Sequence, residues 1–164
     1  MSTASTILEP PPQQQAIVLP AIPVLAVNAK LAAILSPDGE IELMPHARAQ
    51  MSVAGTPVMV CHAPYTRQRL GAAELPALDV LELFAFVHPA KFCVPTPAGL
   101  AKVLGLSPPA QFEDYPLTIM EAAQALLSDL QKEAISGRKA DPLEIAREMF
   151  STCVSTGIAS WPCA

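Results

Sequence analysis

The chain is poor in the residues on which most catalytic and ligand-gripping chemistry is built. Its seven glycines fall in neither a G-x-G-x-x-G nor a G-x-x-x-x-G-K-[ST] run. The backbone-amide cradles that hold nucleotide phosphates are therefore missing, and nucleotide hydrolysis by this chain is excluded. Charged residues make up 15% of the sequence and aromatics 5%. Ten Lys and Arg are scattered along the whole length and form no basic face. Counterion release rewards clustered cations, so strong autonomous binding of nucleic acid is disfavoured, while a weak or assisted contact stays open. The four cysteines, Cys61, Cys93, Cys153 and Cys163, make no C-x-x-C pair and lack the density of a secreted disulfide scaffold. Reduced thiols and a cytoplasmic location are the expectation. No Lys or Arg precedes Lys30, and the apolar stretch from Ala16 to Val27 is broken by Pro20 and Pro23. That is the pattern of neither a signal peptide nor a membrane span, and no membrane partner is expected.

What the chain does have is core material. Of 164 residues 51% are apolar, mostly small and aliphatic, which is enough for one domain without disulfide or metal staples. The net charge of −5 is spread thinly. Residues 1–15, with Pro10-Pro11-Pro12 and Gln13-Gln14-Gln15, read as a flexible leader. Residues 16–135 then read as one folded unit, and 136–164 as a helical tail.

Within that unit the punctuation is clear. Ile22 to Val27 is an apolar β-type run, and Pro37-Asp38-Gly39 joins two strands, Leu31 to Leu35 and Glu40 to Met44. Pro45 to Ala54 suits a short helix closed by Gly55, and Pro57 to Cys61 a buried strand. A polar helical turn over Tyr65 to Leu70 and a short strand follow. Asp79 and Glu82 have the spacing of a capping box heading a helix to Val87. Thr96-Pro97 opens a two-turn helix ending at Gly105. Thr118 to Ile135 carries one apolar stripe, stopped by Gly137, and Asp141-Pro142-Leu143-Glu144 opens a last helix to about Val154. Strands alternating with helices predict an α/β fold with one mixed sheet.

Few constellations could carry chemistry. Cys61-His62 sets a thiol beside an imidazole at a strand end, but neighbours on a strand point to opposite faces and no third group is at hand. A packed cysteine and a hydrogen-bonded histidine is the favoured reading, with His46 and His88 single and exposed. Arg67 and Arg69, with Tyr65, offer a phosphate contact beside a stacking ring, or simply a solvated helix face. Asp79 with Glu82 could pair on a metal, but capping explains both. No catalytic residue and no metal ligand is assigned.

Cys61-His62-Ala63-Pro64-Tyr65-Thr66-Arg67, then Leu78-Asp79-Val80-Leu81-Glu82-Leu83 and Thr96-Pro97-Ala98-Gly99-Leu100 through Gly105-Leu106, together resemble the proofreading, DnaQ-like 3′–5′ exonucleases. The likeness in motif order runs from about residue 22 to 134 and implies an RNase H-like fold. Such nucleases hold two metal ions with four carboxylates. Here the first strand reads Val24-Leu25-Ala26-Val27-Asn28-Ala29 in place of Asp-x-Glu, the second acid falls on Thr66 or Arg67, and the expected histidine of the last helix falls on Pro116. Only Glu121 retains an acid. The resemblance thus implies a dismantled site, a vestigial cleft marked by His62, Tyr65 and Glu121.

A nearer likeness is to the N-terminal region of bacterial DinG-like, XPD-related ATP-dependent DNA helicases. It is carried by Pro57 to Pro64, Arg69-Leu70-Gly71, Leu78 to Val87 and Pro95-Thr96-Pro97. Ile158-Ala159-Ser160-Trp161-Pro162 resembles the approach to the motor, though it departs from the usual Gly-Trp-Pro-Trp. The likeness implies an accessory domain that is inactive alone and docks on a helicase motor or guides single-stranded DNA weakly, with Arg67 and Arg69 as DNA contacts and a role in DNA repair. No cofactor is implied for this chain; ATP and Mg belong to the absent motor. The alternative is a free-standing protein-interaction module on the same degenerate fold, and an active metal-dependent nuclease ranks last.

Overall fold

A computed structural model of the protein describes residues 19–135. The leader, the stop at Gly137 and the helix expected over residues 141–154 lie outside the described residues.

Three strands come first. β1 (Val24–Val27) is buried along its whole length, as expected where four apolar residues in a row must satisfy covered surfaces on both sides. Asn28 then turns the chain. Its Oδ1 accepts the backbone N–H groups of Lys30 and Leu31, both at 2.8 Å, an Asx turn that brings β2 (Ala32–Leu35) back antiparallel to β1. Pro37-Asp38-Gly39 makes the next reversal, with Gly39 at φ +91°, and β3 (Ile41–Met44) pairs antiparallel with β2. Helix α1 (His46–Ser52) leads to β4 (Val58–Val60), and α2 (Ala63–Leu70) leads to β5 (Ala77–Asp79). Both later strands run parallel to β1, giving one mixed five-stranded sheet in the order β3-β2-β1-β4-β5.

The helices divide between the two faces. Leu25, Val27, Val58 and Val60 pack with Met44, Ala49 and Leu70 under α1 and α2. Val24, Ala26, Leu35 and Met59 point to the other face, which is covered by α3 (Val80–Val87), α4 (Pro97–Leu104) and the long α5 (Tyr115–Ile135). Ile119, Ala122, Leu126 and Leu130 of α5 are fully buried there. Among the described residues no helix is long and apolar enough to cross a membrane.

The α/β layout and element order agree with the sequence reading, but some details differ. α5 begins at Tyr115, not at Thr118. Thr118 has the look of a cap, yet its hydroxyl bonds the Asp114 carbonyl one turn back at 2.9 Å. α5 continues directly out of the 3₁₀ turn Phe112–Asp114, whose own start is held by Asp114 Oδ2 accepting the N–H groups of Ala110 and Gln111, and Pro116 is tolerated because first-turn N–H groups have no intrahelical partner. α2 begins at Ala63, two residues before the expected start, for the same reason at Pro64. His46 and His88, expected to be exposed, are half-buried. His88 lies between α3 and α5, its side chain 13% exposed and its Nε2 3.3 Å from Asp129 Oδ2. The approach is close but off the hydrogen-bonding direction, and no hydrogen-bond partner among the described residues satisfies that nitrogen.

Candidate cleft at the carboxyl ends of β1 and β4

A sheet whose central strand has an antiparallel neighbour on one side and a parallel one on the other splays the connections leaving the carboxyl ends of β1 and β4. Ligands of open α/β sheets bind in such crevices. Here the crevice is a cleft of about 680 Å³, lined by Val27, Asn28 and Ala29 after β1, by His62, Tyr65, Thr66 and Gln68 of the β4–α2 corner, by Pro95-Thr96-Pro97, and by Tyr115 and Ile119 of α5. Cys61 forms part of its floor.

One carboxylate holds this corner together. Asp79 caps α3, its Oδ1 accepting the N–H groups of Leu81 at 2.9 Å and Glu82 at 3.3 Å. Its Oδ2 accepts the N–H of Ala63 at 2.7 Å, the first residue of α2. The same side chain therefore satisfies orphan amides at two helix starts and fixes the angle between α2 and α3. Burial raises the Asp79 pKa above the ordinary carboxylate value, although these amides and the nearby His62 pull the other way. Glu82 is raised as well, by burial first and then by the Asp79 charge. The reciprocal half of the expected capping box does not form, since the Glu82 side chain makes no hydrogen bond among the described residues and stays exposed.

The neighbouring thiol is inert. Burial, with smaller contributions from Asp79 and Cys93, pushes Cys61 up to about 12, so at neutral pH it carries no thiolate and offers no nucleophile. The packed cysteine of the sequence reading is observed; the hydrogen-bonded histidine is not. The His62 ring has no hydrogen-bond partner among the described residues, and only its backbone carbonyl is engaged, by the Thr66 hydroxyl and N–H.

The rim is aromatic. Tyr65 is 39% exposed, and the Arg69 guanidinium lies 5.2 Å from its ring centroid, a cation–π pair that steadies both side chains at the entrance. Arg67 sits one residue after Thr66 on the exposed side of α2 and does not line the cleft. Of the three residues marking the vestigial site, His62 and Tyr65 come together and Glu121 does not. Ile119 faces the cleft, and at about 100° per residue Glu121 is turned about 200° from it around α5.

No described lining residue is a carboxylate, so the cleft does not fit a pair of divalent ions. Among the described residues no group of three His, Cys, Asp or Glu stands close enough to hold a metal. The lining instead offers amide, hydroxyl, imidazole and phenol groups on an apolar floor, a set suited to an uncharged, planar ligand part. Sequence reasoning missed Asn28, Gln68 and Tyr115. Asn28 follows a strand directly, which is a readable signal; Tyr115 reaches the cleft only through the packing of α5.

No known protein family, curated protein or solved structure matches this chain. Its reading therefore rests on its own geometry.

Proposed function

We propose that this chain is a non-catalytic accessory domain of RNase H-like fold, resembling the N-terminal region of a DinG-like ATP-dependent DNA helicase, which docks on the motor or guides single-stranded DNA past the cleft. The observation that carries the reading is a cleft at the carboxyl ends of β1 and β4 that has a stacking ring and a guanidinium at its rim and no acidic lining residue. Two features support it. The strand order, with an antiparallel meander followed by two parallel strands, agrees with that fold. The end of β1, where such a nuclease needs Asp-x-Glu, carries Asn28, and Asn28 is spent on a turn.

The charge distribution sets the strength of the contact. With a net charge of −5 and, among the described residues, just Lys30, Arg67 and Arg69 next to lining residues in the chain, few counterions are released, so binding is weak, sensitive to salt, and dependent on the motor for its effective concentration. Docking is supported by Phe92 and Val94, 85% and 52% exposed just before the Pro95 wall of the cleft, an apolar tip suited to another domain.

A fluorescence titration of labelled oligothymidylate against the chain, alone and joined to a helicase motor, tests the guiding role. Weak binding at low salt that falls with added salt and with Tyr65→Ala supports it. Absence of binding at low salt even when joined to the motor removes it.

A further inference from the structure

We propose that the uncovered apolar groove between α5 and β3 is the docking site of this chain's own residues 142–154. The first ground is the register of the sheet. Leu35 pairs with Val24 on one side and with Ile41 on the other, and cross-strand partners share a face. Leu35 and Val24 lie in the core beneath α5, so Ile41 points to that same face, and Leu43, two residues on, does too. α5 packs over β1, β2 and β4. Ile41 and Leu43 remain 45% and 38% exposed, whereas α1 and α2 cover the opposite face.

The second ground is the groove beside these residues. It has a volume of about 650 Å³, lies between α5 and the β2–β3 hairpin, and is lined by Leu35, Ile41, Leu117, Met120 and Leu127. None of its described lining residues is charged. A solvated surface in a chain with 25 formally charged residues would rarely avoid them over such a length. Contiguous uncovered apolar surface of this kind marks a docking site.

The occupant follows from the chain beyond α5. The groove runs along α5 from Leu117 to Gln131, a rise of about 21 Å at 1.5 Å per residue. A helix over 142–154 is about 20 Å long by the same rule. Ala146, Met149, Phe150 and Cys153 recur along one stripe of such a helix, with Glu144, Arg147, Glu148 and Ser151 away from it. Asp141-Pro142 supplies a start, and residues 136–141, including Gly137, are enough chain to reverse direction between antiparallel helices. Attachment a few residues past the groove gives this segment a high effective concentration over any external competitor. The leader, rich in Pro and Gln, has no such stripe.

The test uses the full chain. In hydrogen exchange the amides of residues 143–154 should exchange at least about ten-fold slower than an unstructured peptide. The double variant Ile41→Lys/Leu117→Lys, at two exposed sites, should abolish that protection while leaving the amides of β1 and β4 unchanged. A benzophenone side chain placed at Gln124 should crosslink within one chain to a peptide from residues 142–154. Unprotected amides in the parent, protection indifferent to the groove variant, or a crosslink to residues 1–18 or to a second copy would each overturn the proposal.

Discussion

The cleft and the groove are of nearly equal volume, about 680 and 650 Å³, on either side of α5, and they differ in what lines them. The cleft gathers an imidazole, two phenols, a carboxamide pair and hydroxyls around a corner pinned by one carboxylate. The groove is walled by aliphatic side chains, with Ser and Gln as its polar groups. Polar groups fixed at a strand end suit a ligand that comes and goes, because each can find a partner in water when the site is empty. Aliphatic walls gain only from being covered and suit a permanent neighbour. Size alone would have ranked the two as equals.

Substitutions can break that contrast, beginning with the largest. A Cβ at Gly99 would overlap the Val94 carbonyl oxygen, which is backbone. Gly99→Ala should therefore cost about 3 kcal/mol in urea unfolding and, by pushing Val94 away, displace the Pro95-Thr96-Pro97 wall; a loss confined to stability with unchanged oligonucleotide binding would separate the wall from the cleft's function. Asp79→Ala leaves three amides without their partner and should cost about 2 kcal/mol.

Asp79 also sets a pH dependence. An acid whose folded pKa is raised above the unfolded value stabilises the fold below the unfolded pKa and loses that contribution as pH rises through the folded one. The Asp79 and Glu82 shifts are both upward, so stability should decline as pH rises from about 4. Asp79→Asn should flatten the decline in a series of unfolding curves, and a steeper curve would contradict the assigned burial.

Tyr65→Ala should reduce oligonucleotide binding about ten-fold, as expected for one lost stacking platform, while changing the unfolding midpoint little because the ring is at the surface. Ile41→Ser sharpens the groove half of the comparison. It should cost about 1 kcal/mol if a helix covers that face and under about 0.5 kcal/mol if water does. The smallest effect belongs to Arg48→Ala, which removes an ion pair with Glu42 at 2.7 Å between two exposed side chains; thermal unfolding should register less than about 0.5 kcal/mol.

The elements with strong local signals were legible in the sequence. Pro37-Asp38-Gly39 located the hairpin, Gly105 the end of α4 at φ +71°, and Thr96, whose hydroxyl accepts the Gly99 N–H at 3.0 Å, its start. Each is a short-range hydrogen bond or a backbone conformation that few residues tolerate. Starts that depend on neighbouring elements were misplaced: α5 runs on from the 3₁₀ turn before Tyr115, and the first amide of α2 finds its partner in Asp79, 16 residues on. The candidate site was half legible. His62 and Tyr65 belong to one continuous stretch and met in the cleft, but Glu121 is on a helix whose rotation is set by Ile119, Ala122 and Leu126 against the sheet.

By itself the sequence determined the order and type of the elements between residues 19 and 135, because hydrophobic period, turn residues and caps act over a few residues. It also determined the absence of phosphate-cradling loops and of acids at the end of β1. Only the tertiary structure decided which side chains share the cleft, that Asp79 ties two helices at once, and that β3 presents Ile41 and Leu43 to an uncovered face. Those outcomes depend on strand register and helix rotation, which are fixed by contacts between residues distant in the chain, and no local pattern encodes them.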